Sequence, residues 1–224
     1  MTPGFRIAER QALPSAELLA GYAALPAAII SDNLGRLAGD GGLLRPYTAR
    51  RELCGAALTV HTRIADNLMI HKAIDLAGPG DVLVIAAGGD LTHALFGEIM
   101  YALAVSRGLA GVVVDGAIRD SDALARRDEM ALFARGVSHR GPYKDGPGTI
   151  NEPVRVGDLT VGPGDIVRGD GDGVVAVGLD DAEAVLAASR AQADTEAEIF
   201  AAIAEGRLDR AWIDQSLRAK GVID

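Results

Sequence analysis

Arginine and aspartate stand side by side at the end of the run Asp115-Gly116-Ala117-Ile118-Arg119-Asp120. The guanidinium of Arg119 is a planar fork of donors that matches a carboxylate. Asp120 offers oxygen to a hard divalent cation or to that cation's water. Asp115 is expected to leave the preceding strand first, and Gly116 permits a tight turn. Upstream, Gly97-Glu98 opens a helical pattern, and Gly97 lets a ligand approach the backbone closely. The first-turn amides of Ile99 and Met100 lack intrahelical acceptors and lie at the positive end of the helix dipole, so they favour an anion. Together these residues suggest a small carboxylate held between Arg119 and the two amides, with a metal near Asp120. A 2-oxo acid chelated to a metal can form an enolate, the central difficulty in aldol cleavage and β-decarboxylation. Each feature also has a plainer reading. An Arg-Asp pair is often a surface ion pair. Gly88-Gly89-Asp90 reads equally as a turn, and Glu98 as a charge offsetting the helix dipole.

The elements that must position these residues are legible in the middle of the chain. Residues 82–87 form a short unbroken apolar run, the mark of a strand buried on both faces, and residues 111–115 form a second. Between them, 96–107 has helical spacing, and Gly108 is a natural helix stop. Such a β-α-β unit pairs its strands in parallel, and ligands of these sheets lie beyond the carboxyl ends of the strands. Gly88-Gly89-Asp90, Gly97-Glu98 and the Arg119-Asp120 loop are therefore expected around one crevice. Elsewhere helices are predicted over 14–38, 67–77, 121–127, 180–205 and 210–220. Strands are predicted over 53–62 and 130–134, with hairpins among 154–156, 159–161, 165–168 and 174–177. The expectation is a single α/β domain over 1–224 in which 180–224 forms a helical arm.

Composition excludes several classes. Aromatic residues are only 4% of a chain that is 49% hydrophobic, so the core must be built from Ala, Val, Leu and Ile. The net charge of −9 counts against nucleic acid or an anionic membrane surface as partner. A lone cysteine, Cys54, rules out a disulfide framework or a Cys-rich zinc site. No apolar stretch approaches the roughly 20 residues of a membrane helix. The first residues carry no apolar secretion core, and the expected location is cytoplasmic.

Other candidates are weaker. His71 fits a helix among Leu68 and Ile74 and reads as a packed core histidine. His61 lies on a strand. His93 is placed near the crevice entrance, and His139-Arg140 within reach of it. Lys144 sits in a Gly/Pro-rich loop, and a Schiff-base lysine is usually desolvated, so imine chemistry is not expected. Asp170-Gly171-Asp172-Gly173 lacks the spacing and closing Glu of a calcium loop and reads as a hairpin turn.

The motifs carry a resemblance. The stretches Gly80-Asp81-Val82-Leu83-Val84, Gly97-Glu98 and Gly108-Leu109-Ala110-Gly111-Val112-Val113-Val114-Asp115-Gly116-Ala117-Ile118-Arg119-Asp120 resemble the 4-hydroxy-4-methyl-2-oxoglutarate / 4-carboxy-4-hydroxy-2-oxoadipate aldolases. Relatives of that family include the regulator of ribonuclease activity A. The aldolases carry an acidic residue, twenty intervening residues and then Arg-Asp, as Glu98 and Arg119-Asp120 do here. The resemblance implies a β/β/α-layered, swivelling-domain-like fold, a homotrimer or hexamer, and class II chemistry with Mg²⁺ or Mn²⁺. It implies that Arg119 binds the pyruvate carboxylate and oxygen and stabilises the enolate. Asp120 would hold the metal, the backbone at Gly97, Ile99 and Met100 would take the carboxylate, and Glu98 would orient a catalytic water. The aldolases have Asp where this chain has Glu98, and one extra methylene displaces that carboxylate. They also use a glutamate from a neighbouring subunit's arm, for which Glu196 is the match and Glu198 the next. Two functional readings follow. The first is a metal-dependent pyruvate aldolase that cleaves a 4-hydroxy-2-oxo-dicarboxylate and decarboxylates oxaloacetate as a side activity. The alternative is a non-catalytic regulator that binds a ribonuclease or another protein on the same scaffold.

Overall fold

The structure is a computed structural model that describes residues 2–10, 12–36 and 39–224. The chain begins with β1 (Phe5–Ile7), α1 (Ala16–Ala23) and α2 (Ala27–Asn33). The single helix expected over 14–38 is broken at Pro26, which has no N–H for an interior helical bond and instead caps α2 with extended backbone. Positions 37 and 38 of that expected helix lie outside the described residues. Next come β2 (Arg45–Pro46), β3 (Leu53–Thr62), α3 (Leu68–Leu76), β4 (Asp81–Ala86), β5 (Ala94–Phe96), α4 (Glu98–Ser106) and β6 (Gly111–Ile118). They are followed by α5 (Ser121–Leu124), β7 (Ala131–Val137) and β8 (Gly148–Ile150). Two hairpins pair β9 (Val154–Val156) with β10 (Leu159–Val161), and β11 (Ile166–Asp170) with β12 (Gly173–Val177). The chain ends in α6 (Ala182–Ala204) and α7 (Ala211–Ala219).

The main sheet runs β1-β8-β3-β4-β6-β7-β2, with β11 added antiparallel to β3, and β5 parallel to β6. Strands β3, β4, β6 and β7 are parallel neighbours. Every residue of β4 is buried, and its alternating side chains feed two cores. Leu83 and Ile85 pack with Ile70, Ile74 and Tyr101 of the helical layer. Val82, Val84 and Ala86 pack with Val156, Val161 and Val174 of the second β layer. This is the expected β/β/α layering, and it explains why the central strands read as unbroken apolar runs.

A third cluster fastens the start of α6 to α1 and α2 through Tyr22, Ile30, Val185 and Leu186. There the Tyr22 hydroxyl donates to the Ala182 carbonyl at 2.7 Å. Further along α6, Phe200 and Ile203 are exposed, and no residue of α7 is buried.

Candidate active site

Helix α4 begins where β5 delivers the chain alongside the end of β6. Phe96 pairs with Ile118, and the Arg119 N–H donates to the Phe96 carbonyl at 2.9 Å. This places Gly97 under the Arg119-Asp120 turn. A Cβ at Gly97 would come within 2.6 Å of Asp120 Oδ2 and 3.0 Å of Arg119 Cγ, so only glycine fits without displacing them. Asp120 adopts a left-handed conformation (φ 60°, ψ 34°), which Asp tolerates better than most residues. That turn aims its carboxylate back at α4, where Oδ2 accepts the Glu98 N–H at 3.0 Å. Arg119 Nε lies 3.7 Å from the same oxygen.

These residues border a cleft of about 340 Å³. Gly97, Ile99, Met100, Arg119 and Asp120 all line it, as the sequence leads one to expect. The polar side chains among its other lining residues are Asn67 and His71 at α3, and Lys144 on the loop over 141–147. His71 is thus not the packed core histidine expected; it is partly exposed and faces the cleft. Burial, with the Lys144 charge adding to it, holds its pKa below the usual histidine value and outweighs the attraction of Asp75. Asn67 is held by its amide, whose Nδ2 donates to the Leu95 carbonyl at 3.1 Å. Its buried Oδ1 has no partner among the described residues. Lys144 is solvent-exposed. Sequence spacing does not reveal Asn67 as a site residue.

Other expected residues lie elsewhere. Asp115 does not leave the strand; it is inside β6, fully buried, and ion-paired with Arg135 of β7. Burial pushes its carboxyl pKa upward against the opposing pull of Arg135. The strand continues because β5 and β7 flank it as far as Ile118. The turn at Gly88-Gly89-Asp90 does not line the cleft: it packs behind Gly116, with the Ala117 N–H donating to the Asp90 carbonyl at 3.1 Å. His93 stacks beside Tyr143 with ring centroids 5.9 Å apart, while His61, His139 and Arg140 do not line the cleft. The Glu98 carboxylate also stands outside the lining, 3.6 Å from Arg127. Glu196 lies on α6, where Gln192 donates to it at 3.0 Å and also reaches Asp32 of α2 at 3.2 Å. Within one chain, Glu196 and Glu198 are not part of the cleft wall.

No group of three or more His, Cys, Asp or Glu side chains arranged to hold a metal occurs among the described residues. The donor set nevertheless fits a hard cation of the Mg²⁺ type. Such an ion commonly takes one or two carboxylates and fills its remaining positions with water and substrate oxygen. Asp120 supplies that carboxylate at the cleft edge, with Oδ1 not engaged by the Glu98 amide.

The sequence model of the Aldolase/RraA family matches residues 27–176, the stretch that builds the cleft and all of the main sheet but β1 and the last residue of β12. The chain belongs to this family. A member from Halalkalibacterium halodurans, provisionally named a 4-hydroxy-4-methyl-2-oxoglutarate aldolase, is 38% identical over 182 residues, covering 81% of this chain and 86% of that one. A protein of the same provisional name from Aromatoleum aromaticum is 36% identical over 59% of this chain and 82% of its own. Among solved structures, an uncharacterised protein of Pseudomonas syringae pv. tomato superposes with a TM-score of 0.77 at 28% identity, covering 88% of this chain and 96% of its own. The RNA-processing inhibitor RraA of Thermus thermophilis superposes with a TM-score of 0.62 at 29% identity, covering 68% and 92%. Among the described residues, no helix of this Aldolase/RraA member is long and apolar enough to cross a membrane.

Proposed function

We propose that this chain is a divalent-metal-dependent pyruvate aldolase that cleaves 4-hydroxy-2-oxo-dicarboxylates. The observation that carries the reading is the convergence of Arg119, Asp120 and the first turn of α4 on one cleft that also holds Lys144. The Arg119 fork and the amides of Ile99 and Met100 bind the 2-oxo carboxylate end. A divalent cation at Asp120, Mg²⁺ or Mn²⁺, supplies positive charge to the 2-oxo group when bound. Lys144 brings a second positive charge to the same cleft, suited to the substrate's distal carboxylate. Glu98, through a water, takes the proton of the C4 hydroxyl. The C3–C4 bond then breaks, its electron pair passing to C3 to give pyruvate enolate, while C4 becomes the carbonyl of the second product. Arg119 stabilises the enolate oxygen until C3 is protonated. The same enolate forms when oxaloacetate loses CO₂, so oxaloacetate decarboxylation is part of the proposal.

The site is completed by a second copy of the chain in a trimer or hexamer, with the exposed end of α6 and α7 reaching across while the start of α6 stays packed on its own α1 and α2. Exposed Phe200, Ile203 and Trp212 on α6 and α7 support this assembly. In it Glu196, or failing that Glu198, meets the neighbour's site.

The test is pyruvate release from oxaloacetate and from 4-hydroxy-4-methyl-2-oxoglutarate with Mg²⁺, with Mn²⁺ and with EDTA. Turnover above the metal-only background that Arg119→Ala abolishes supports the reading. No turnover from folded protein with either metal overturns it, and capture of a ribonuclease by the same protein would then favour the regulator role.

A further inference from the structure

Two walls of the cleft, α3 and the loop over 141–147, are joined by one carboxylate that does not itself line the cleft. Asp66 is 0% exposed. Its Oδ1 accepts the Leu68 N–H at 3.0 Å, at the first residue of α3. Its Oδ2 accepts the Asp145 N–H at 2.7 Å and the Arg63 guanidinium at 3.1 Å. Backbone bonds repeat the join on either side. The Asn67 N–H donates to the Tyr143 carbonyl at 3.0 Å, and the Tyr143 N–H donates to the Ala65 carbonyl at 2.7 Å. Burial works against the charged carboxyl. The amides of Leu68, Asp145 and Gly146, with Arg63, outweigh it and hold Asp66 below the usual carboxylate range. It is therefore an anion at neutral pH, with donors converging on it from its own stretch over 63–68 and from the loop at 145–146.

An ionised group is costly to bury unless hydrogen bonds compensate it. Here the compensating donors are backbone amides of Lys144's loop and of the start of α3, together with the Arg63 guanidinium. We propose that Asp66 is a positioning residue: it sets Lys144 against α3 and thereby governs how tightly the cleft holds the distal carboxylate of a 2-oxo dicarboxylate. This rests on the role given to Lys144 above. Among the described residues the Asp66 carboxylate bonds to Arg63, Leu68 and Asp145 and not to Arg119 or the first turn of α4. The neighbouring Asn67 reaches that turn, at Met100 Sδ 3.4 Å away. The pyruvate half is therefore expected to respond less than the Lys144 side. An asparagine at 66 keeps the shape but turns an NH₂ toward one of the two backbone donors, which frees either the loop or the helix start.

The experiment is calorimetric titration, in Mg²⁺ buffer at neutral pH, of wild type, Asp66→Asn, Lys144→Ala and the double variant. Pyruvate and 2-oxoglutarate are the probes; the second carries a distal carboxylate and no 4-hydroxyl to cleave. Loss of charge-assisted hydrogen bonds of this kind is expected to weaken 2-oxoglutarate about tenfold in Asp66→Asn. Pyruvate affinity should stay within about twofold, and Asp66→Asn should add nothing once Lys144 is gone. Equal weakening of both probes, unchanged 2-oxoglutarate affinity, or a full further loss in the Lys144→Ala background overturns the inference. If Asp66→Asn does not fold, Arg63→Ala carries the test, because it removes one partner of Asp66 from a half-exposed position. It should weaken 2-oxoglutarate by about twofold to threefold and spare pyruvate; no selective loss overturns the inference. Failure of wild type to bind either probe overturns the site reading and this inference with it. Binding by wild type that the variants leave unchanged overturns this inference alone.

Discussion

Asp120 caps the helix that Glu98 opens, its Oδ2 accepting the Glu98 N–H at 3.0 Å across 22 positions of sequence. Glycine at 97 supplies no side-chain cap of its own, so the helix borrows one from the end of β6. The spacing between the acidic residue and Arg-Asp is therefore a structural measure. It is the length of α4, its return turn and β6, closed into a loop by one hydrogen bond. The carboxylate proposed to hold the cation is oriented by the same helix whose first-turn amides are proposed to bind the substrate.

That closure makes Gly97 the most sensitive small residue of the site. In Gly97→Ala the new methyl would sit 2.6 Å from Asp120 Oδ2. The expected outcome is a loss of lyase kcat/KM of about a hundredfold or more, since misplacements near one ångström cost that much. The melting temperature should change by only a few degrees, because the alanine perturbs a cleft edge and not a core. Steady-state kinetics beside a thermal melt checks both; near-normal kcat/KM would show that Asp120 need not stay where it is.

Glu98 does not line the cleft. Its carboxylate lies 3.6 Å from Arg127, whose guanidinium rests over the Tyr101 ring at 5.3 Å. Glu98→Asp shortens the arm and should release it from Arg127 toward the site. The expected result is a rise in kcat of about tenfold with KM unchanged, within the scale that positioning commands. A fall in kcat would mean that the longer acid is already matched to its water.

How far the site could be read from sequence follows from what each residue depends on. The strands β4 and β6 and the start of α4 were legible because burial on both faces and helical period leave local marks. Strands β1, β5 and β8 are as short as β9 and β10 but are not joined to their sheet partners by a hairpin turn, the signal that marks those two. The pairing of Asp115 with Arg135 left no mark either, being made across neighbouring strands. His71 was misread because a helix face that lines a cleft and one that enters a core share the same apolar spacing. Lys144 reaches the cleft through long-range bonds between its loop and the start of α3, such as Asp66 to the Asp145 amide across 79 positions, which no local pattern announces. Pro26 was the opposite case, a local signal that the apolar spacing around it obscured.

The Asp115–Arg135 pair fixes the floor on which both loops stand. Asp115 is 3% exposed and Arg135 21% at the side chain, so removing Arg135 leaves a carboxylate buried with no counter-charge. Arg135→Ala is expected to cost about 3–5 kcal/mol of stability, as broken buried pairs do. The double variant with Asp115→Ala should recover part of it, since no uncompensated charge remains. Chemical denaturation of the three variants checks this, and a cost below about 1 kcal/mol for Arg135→Ala would place the pair with ordinary surface bridges.

His71 gives the cleft a pH dependence whose sign can be worked out. Its folded pKa lies below the 6.5 usual for histidine, through burial first and the Lys144 charge second. The unfolded chain therefore takes up this proton before the folded one does. The stability contribution is fully present above 6.5 and is lost as pH falls through the lower, folded value. His71→Gln should flatten that part of the curve of melting temperature against pH. A bound dicarboxylate reverses the local balance, because negative charge beside the ring favours the imidazolium. Binding of 2-oxoglutarate just below pH 6.5 should therefore draw in a proton in wild type and not in His71→Gln. Calorimetry in two buffers of different ionisation enthalpy measures that uptake directly. Equal proton uptake by wild type and variant would show that another group near the cleft, not His71, answers the ligand's charge.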